Sequence, residues 1–149
     1  VYVFYGCQET TSGLNAVPDW EFSIDQTGAN LGIDVSNGGD TNLDTYDDLL
    51  VGAHMYDDEQ ANEGTVYAFF GGPDGLVPLP TWQADGNKND TFFGYAVDGA
   101  GDTNGDGYHD ALVGAPTFRV NEIIKGAVFV FFGTQQAVVH HAFLPFIRK

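Results

Sequence analysis

Cysteine, basic residues, serine, methionine and long apolar runs are all scarce in this chain of 149 residues. Cys7 stands alone, so no intrachain disulfide can brace the fold. It reads as a small buried apolar residue, with an intermolecular bridge as the other use of the thiol. The lack of disulfides does not exclude export, because bound metal can brace a fold instead. Lys and Arg number 5 against 21 Asp and Glu, a formal charge of −16. A polyanion of this kind is repelled by phosphate backbones and by anionic lipid, which excludes nucleic acid and disfavours a membrane surface. The three serines, Ser12, Ser23 and Ser36, lie in no Gly-x-Ser-x-Gly turn. Cys7 has no His nearby in sequence, and no glycine-rich phosphate cradle opens a helix. These gaps point away from an enzyme. The apolar stretch from Ala137 to Ile147 is broken by His140, His141 and Pro145 and is too short to cross a bilayer. No initiator Met or basic leader precedes Val1, which falls inside what reads as a strand, so the chain reads as a piece of something longer.

Glycine and phenylalanine are abundant instead: 20 Gly and 12 Phe, within 43% hydrophobic residues. That mixture favours short strands and tight turns over helices. The order of the residues repeats at a spacing of 62. Gly39-Asp40-Thr41-Asn42 returns as Gly101-Asp102-Thr103-Asn104, Trp20 as Trp82, and Pro18 as Pro80. Gly13-Leu14 maps to Gly75-Leu76, and the strand Gly64 to Gly71 maps to Gly126 to Gly133. Between 31–53 and 93–115, 13 of 23 positions are identical, too many for chance and too few for a recent duplication. Val1 to Gly6 is a third copy of the Val66 strand, offset by a three-residue insertion before Gly13.

Each unit reads as four strands. The first carries Phe93-Gly94-Tyr95-Ala96-Val97, the second Ala111 to Ala115, the third Ala127 to Phe132, and the fourth the Trp, as in Thr81-Trp82-Gln83. The third strand is apolar at every position, so both faces of its sheet must be covered. Stacked four-stranded sheets with this period fit an all-β fold, a partial β-propeller of two to two and a half antiparallel blades, with a two-layer sandwich as the alternative. The divisions are 1–28 (end of a preceding blade), 29–90 (first repeat), 91–133 (second repeat) and 134–149 (irregular tail).

Between the first and second strands of each unit runs an acidic loop with oxygen-bearing side chains at positions 1, 3, 5 and 9. In the second copy these are Asp102, Asn104, Asp106 and Asp110, with the Tyr108 carbonyl at position 7. In the first copy they are Asp40, Asn42, Asp44 and Asp48, with the Tyr46 carbonyl. Alternate positions of a tight loop turn inward and can converge on one hard cation. Ca²⁺ takes six to eight oxygens in irregular geometry, whereas Mg²⁺ demands an octahedron and Zn²⁺ wants His or Cys. Two Ca²⁺ sites are expected. Gly105 and Gly107 give the second loop backbone freedom where the first has Leu43 and Thr45. If the turn needs positive φ there, the 40–48 site is the weaker or more distorted. A turn of Asp, Asn and Gly that binds nothing is the plain alternative. An EF-hand is excluded, because position 12 is Val51 or Val113 and strands flank the loop.

Phe93-Gly94, the Asp102 to Asp110 loop and Gly114-Ala115-Pro116 together resemble the FG-GAP repeat of integrin α-subunit propellers and bacterial surface proteins. Leu31-Gly32 and Gly52-Ala53-His54 form a degenerate copy, and Asp57 to Gly64 resembles that family's connector. The resemblance covers roughly residues 1 to 133. It implies a seven-bladed parent propeller, Ca²⁺ in the loops, and a non-catalytic, extracellular or cell-surface adhesion or recognition role. Its partners would be a protein or glycan ligand and the rest of a larger propeller, or a second copy by self-association. Two alternatives stand beside this: an accessory propeller of a secreted hydrolase, and a lectin-like carbohydrate binder using Trp20 or Trp82. The tryptophans are expected as packing anchors, with a sugar-stacking role only if exposed. His109 is expected to point away from the loop into solvent, Asp47 to be solvated, and His140-His141 to have no joint role. The connector Phe118 to Lys125 departs from the family pattern, being apolar and basic. It reads as a solvated loop or a partner contact, since Ile123 and Ile124 would be odd in free solvent.

Overall fold

Turn clusters cut the chain into short strands, and the structure, a computed structural model, contains no helix among the residues it describes, 1–6 and 16–135. Cys7, Gly13-Leu14 and the tail from residue 136 onward, with His140-His141, lie outside the described residues. The strands are β1 (Tyr2–Val3), β2 (Trp20–Glu21), β3 (Val35–Gly39), β4 (Asp48–Ala53), β5 (Thr65–Phe69) and β6 (Trp82–Asp85). They continue as β7 (Ala96–Gly101), β8 (Asp110–Ala115), β9 (Arg119–Val120), β10 (Ile123–Ile124) and β11 (Ala127–Phe131). All pairing is antiparallel. One complete blade runs β3-β4-β5-β6. The next holds β7, β8 and β11, β1-β2 belongs to a blade before, and β9-β10 is a separate ribbon. The protein is thus an all-β partial β-propeller; the blades hold the strands that the repeat implied, and the β9-β10 ribbon is an addition in a connector read from sequence as a loop.

One detail differs from expectation. Phe93-Gly94 precedes its strand instead of lying in it, because β7 begins at Ala96. Phe92 (φ 50) and Gly94 (φ 79) sit in the left-handed region, which a strand accommodates only at a bulge. This turn carries the packing between blades. A Cβ on Gly52 would stand on the Gly94 carbonyl oxygen, and one on Gly64 would stand on the Phe93 carbonyl oxygen. Two glycines of one blade thereby admit the backbone of the next.

The complete blade is covered on both sides, as the apolar run Val66 to Phe69 of β5 requires. Leu50, Val66, Ala68 and Ala84 pack against Phe93, Val97, Val113 and Phe129 of the following blade. Val51, Ala53, Tyr67 and Phe69 pack against Trp20, Val1, Val3 and Phe22. Full burial of an aromatic or aliphatic side chain such as Phe69 or Phe93 stabilises by about 1.5–3 kcal/mol. The same aromatic pair recurs in both seams: Trp20 meets Phe69, and Trp82 meets Phe131, each edge-on at 4.8 Å. Trp20 is buried and donates its indole N–H to the Val77 carbonyl at 2.9 Å. Trp82 is half-buried against the second seam. Both act as packing anchors: Trp20 is buried, and Trp82 is half-buried with Phe131 against it.

Candidate functional site

Each acidic loop follows a β-bulge. The register slips between Asn37 and Gly39 in one blade and between Gly99 and Gly101 in the other. Gly39 (φ 72) and Gly101 (φ 66) then turn the chain out of the strand. The two loops fold alike. Asp102 Oδ1 and Asn104 Oδ1 both accept the Asp106 N–H, at 3.1 and 3.0 Å. Asp40 Oδ1 and Asn42 Oδ1 both accept the Asp44 N–H, at 3.0 Å each. Oxygens of positions 1 and 3 therefore converge on one point in both. Position 5 closes the same turn: Asp106 accepts from Tyr108 N–H (3.0 Å) and Asn104 Nδ2 (2.8 Å), and Asp44 accepts from Tyr46 N–H (2.9 Å) and Asn42 Nδ2 (2.8 Å). The Asp102 carboxyl lies below the ordinary carboxylate range, chiefly through the Gly107 N–H and then those of its neighbours.

Leu43 (φ 61) and Thr45 (φ 78) adopt the left-handed backbone that Gly105 (φ 80) and Gly107 (φ 96) adopt in the other copy. The first loop is thus strained, and the hydrogen bonds of the turn hold the two side-chain-bearing residues in the left-handed backbone.

Position 9 does more than the loop spacing suggested. Asp110 is fully buried, and Asp48 is 2% exposed. Asp110 Oδ2 accepts the Thr103 N–H (2.8 Å) and its hydroxyl, while Oδ1 accepts the Gly133 N–H (3.0 Å). Asp48 does the same with Thr41 (N–H at 3.0 Å, and hydroxyl) and with Gly71 (2.9 Å). Each aspartate ties the start of the second strand to its loop and to the end of the third strand. Burial outweighs these bonds for Asp48 and raises its carboxyl above the ordinary value. The partners Thr41, Thr103, Gly71 and Gly133 escaped the sequence reading. Their signal was there, since Thr at position 2 and the glycine ending the third strand both recur at the 62-residue spacing.

The two loops also touch across the seam. The His109 N–H donates to the Asp40 carbonyl at 3.1 Å, and the Thr134 N–H donates to the Thr41 carbonyl at 2.9 Å. His109 is exposed as expected, but its imidazole stands where a Cβ on Gly39 would be. Asp47 is exposed and accepts from Asn37 Nδ2 at 2.8 Å.

Every donor at positions 1, 3, 5, 7 and 9 is an oxygen, which suits a hard cation. Among the described residues no three His, Cys, Asp or Glu side chains stand grouped as metal ligands. Position 3 is an Asn, position 7 offers a carbonyl, and position 9 is held by Thr and Gly donors.

Two further buried polar residues entered the sequence reading only as parts of motifs, with no role of their own. Glu63 is 1% exposed, and its Oε1 accepts the N–H groups of Asp58 (2.8 Å) and Glu59 (3.1 Å), closing the first connector on itself. His54 is buried with no partner at Nδ1, packed on Phe92 (5.8 Å) and edge-on to Tyr95 (5.2 Å) of the next repeat.

Comparison with known proteins agrees with this geometry. The FG-GAP repeat profile matches residues 31–69 and 93–131, which span both loops and together exceed half of the chain. Integrin alpha-6 of Homo sapiens is 31% identical over 123 residues, 82% of this chain and 10% of the relative. Integrin alpha-10 of Homo sapiens is 36% identical over 104 residues, 68% of this chain and 9% of the relative. Integrin alpha pat-2 of Caenorhabditis elegans is 38% identical over 85 residues, 54% of this chain and 7% of the relative. The chain spans a tenth or less of the length of these relatives. With two matched repeats whose acidic loops and β-bulges recur at the 62-residue spacing, the chain belongs to the FG-GAP repeat family as an integrin-α-like propeller segment.

Proposed function

We propose that this chain is a calcium-stabilised, non-catalytic propeller segment of an extracellular or cell-surface recognition protein. The observation that carries the reading is the identical convergence of position 1 and position 3 oxygens in two loops 62 residues apart. Asp102, Asn104, Asp106, the Tyr108 carbonyl and Asp110 would hold one ion. Asp40, Asn42, Asp44, the Tyr46 carbonyl and Asp48 would hold the other. The cation would supply charge neutralisation, tying several carboxylates of a −16 chain to one point. Because an unfolded loop cannot gather those oxygens, binding stabilises the fold by linkage, about 2.7 kcal/mol at a ligand concentration 100 times Kd. The likeness to integrin α subunits supports a protein ligand and neighbouring propeller parts as partners. The glycan alternative loses support, since Trp20 is buried and Trp82 is engaged with Phe131.

Calorimetric titration of chelator-treated protein, with melting followed in parallel, tests the scaffold reading. Heat of binding and a rise in melting temperature on adding Ca²⁺ are expected. Neither effect at millimolar Ca²⁺ would refute it.

A further inference from the structure

The second connector is built unlike the first, and the difference is one of surface chemistry. Residues 54–64 form an acidic loop closed inward by buried Glu63. At the same place in the next repeat stands Lys125, and the chain before it makes a ribbon, β9-β10, that turns at Asn121 (φ 50) and Glu122 (φ 63). Its register pairs Ile123 with Val120 and Ile124 with Arg119. Opposed residues share a face, so the two isoleucines lie on opposite sides of the ribbon. Both are open to solvent, Ile123 at 58% and Ile124 at 51%. Apolar side chains on both faces of a two-residue ribbon make nothing for its own core.

The charges around it are as unusual. All three Lys and Arg residues among those described stand at the ribbon base. Lys88 Nζ lies 4.6 Å from the centre of the Phe118 ring. The Lys125 N–H donates to the Phe118 carbonyl at 3.0 Å. Arg119 follows Phe118 directly and reaches the Glu122 carbonyl with Nη1 at 3.4 Å. Glu122 is the sole carboxylate on the ribbon. Beside Lys125 opens a mainly apolar cleft of about 730 Å³, walled by Tyr95, Pro116 and Val128.

We propose that this ribbon and its basic base are an interaction surface, and that the partner is a protein segment presenting an apolar side chain beside carboxylates. The proposal rests on the recognition reading above and names the chemistry of the ligand. Charge decides the partner. Screening limits an exposed charge to about 8 Å at physiological ionic strength. A short acidic segment at the ribbon therefore feels its three cations, set against two acids, more strongly than the acidic surface a screening length away. Those two acids are Glu122 on the ribbon and Asp90, whose backbone carbonyl accepts from the Thr117 hydroxyl. An anionic membrane is a wide plane and meets that acidic surface as well. Carboxylates pair with the Lys and Arg heads, and the apolar side chain covers isoleucine surface that water now covers.

Fluorescence anisotropy with a dye-labelled peptide Asp-Glu-Leu-Phe-Glu-Asp tests it, against the isosteric amide peptide Asn-Gln-Leu-Phe-Gln-Asn. The acidic peptide should bind at least tenfold tighter, and more weakly as salt rises. Lys125→Glu and Ile123→Asp should each weaken it at least fivefold. Ile123→Ser repeats the second change without a new charge, and unchanged melting temperatures show that the variants fold. Equal binding of the amide peptide, no binding of either at millimolar concentration, or indifference to all three substitutions would overturn the proposal. So would retention on phosphatidylserine vesicles through the same residues. Self-association in sedimentation that Ile123→Asp abolishes, without peptide binding, would assign the surface to a second copy and overturn it too. Repeating the titration with and without Ca²⁺ separates the readings. Absent calcium heats with intact peptide binding would sink the scaffold reading alone.

Discussion

Exchanging the residues at loop position 6 should move stability in opposite directions in the two repeats. Thr45 holds φ 78 and Gly107 holds φ 96. Both amides do the same work: Thr45 N–H donates to Asp40 Oδ2 at 2.8 Å, and Gly107 N–H to Asp102 Oδ2 at 2.9 Å. Thr45 is exposed, so its removal forfeits little packing. An L-residue in the left-handed region costs about 1–2 kcal/mol, and a β-branched one lies at the upper end. Glycine returns about 0.5–1 kcal/mol of that by loosening the unfolded chain. Thr45→Gly should therefore stabilise the protein by about 0.5–1 kcal/mol, and Gly107→Thr should destabilise it by a similar amount. A Cβ on Gly107 would meet only Leu43 Cδ1 at 3.9 Å, so the penalty there is conformational and not steric. Urea unfolding in excess chelator, followed by tryptophan fluorescence, reads both changes without metal; the melting shift should be about 2–4 °C per kcal/mol. Thr45→Ala keeps the unfavourable φ and should recover less than glycine. If Thr45→Gly were neutral and Gly107→Thr tolerated, the left-handed turn at position 6 would be wrong, and with it the account of strain in the first loop.

Gly52→Ala should open the seam between blades and cost more than about 3 kcal/mol, whereas its repeat counterpart Gly114→Ala should be nearly neutral. The Gly94 carbonyl oxygen fills the first position, and Ala96 Cβ lies at an ordinary 3.5 Å from the second; equal melting temperatures of the two variants would refute this. Burial holds the His54 imidazole below its usual pKa of 6.5. The unfolded chain then takes up the proton first, so stability is full above pH 6.5 and falls as pH drops from there toward the folded value. Melting scans between pH 7.5 and 5 should show this loss in the natural chain and a flatter profile in His54→Phe; parallel profiles would contradict it. On the calcium reading, Asp106→Ala should remove one binding event in calorimetry and leave the 40–48 loop its own five donors. Loss of both events would mean that the bridge from His109 and Thr134 to the first loop governs binding.

Repetition is what made the sequence legible. A 62-residue period, alternating strand residues and turn clusters follow from local chemistry, so the blade layout and the position of both acidic loops were legible in the sequence, whereas the β9-β10 ribbon was not. The need to cover both faces of β5 followed from its apolar residues alone, and Trp20 and Trp82 announced themselves as anchors by recurring. What the tertiary structure decided depends on groups far apart in the chain. Position 9 looked like a plain ligand until Gly71 and Gly133, 23 residues downstream of Asp48 and Asp110, were found bonded to it. Phe93-Gly94 looked like strand until its backbone was seen against Gly52 and Gly64 of the preceding blade. The contact between the loops through His109 and Asp40 spans two blades, and periodicity carries no information about which carbonyl faces which amide across a seam. Period and polarity fix which residues face inward; only the stacking of one sheet on the next fixes what they meet there.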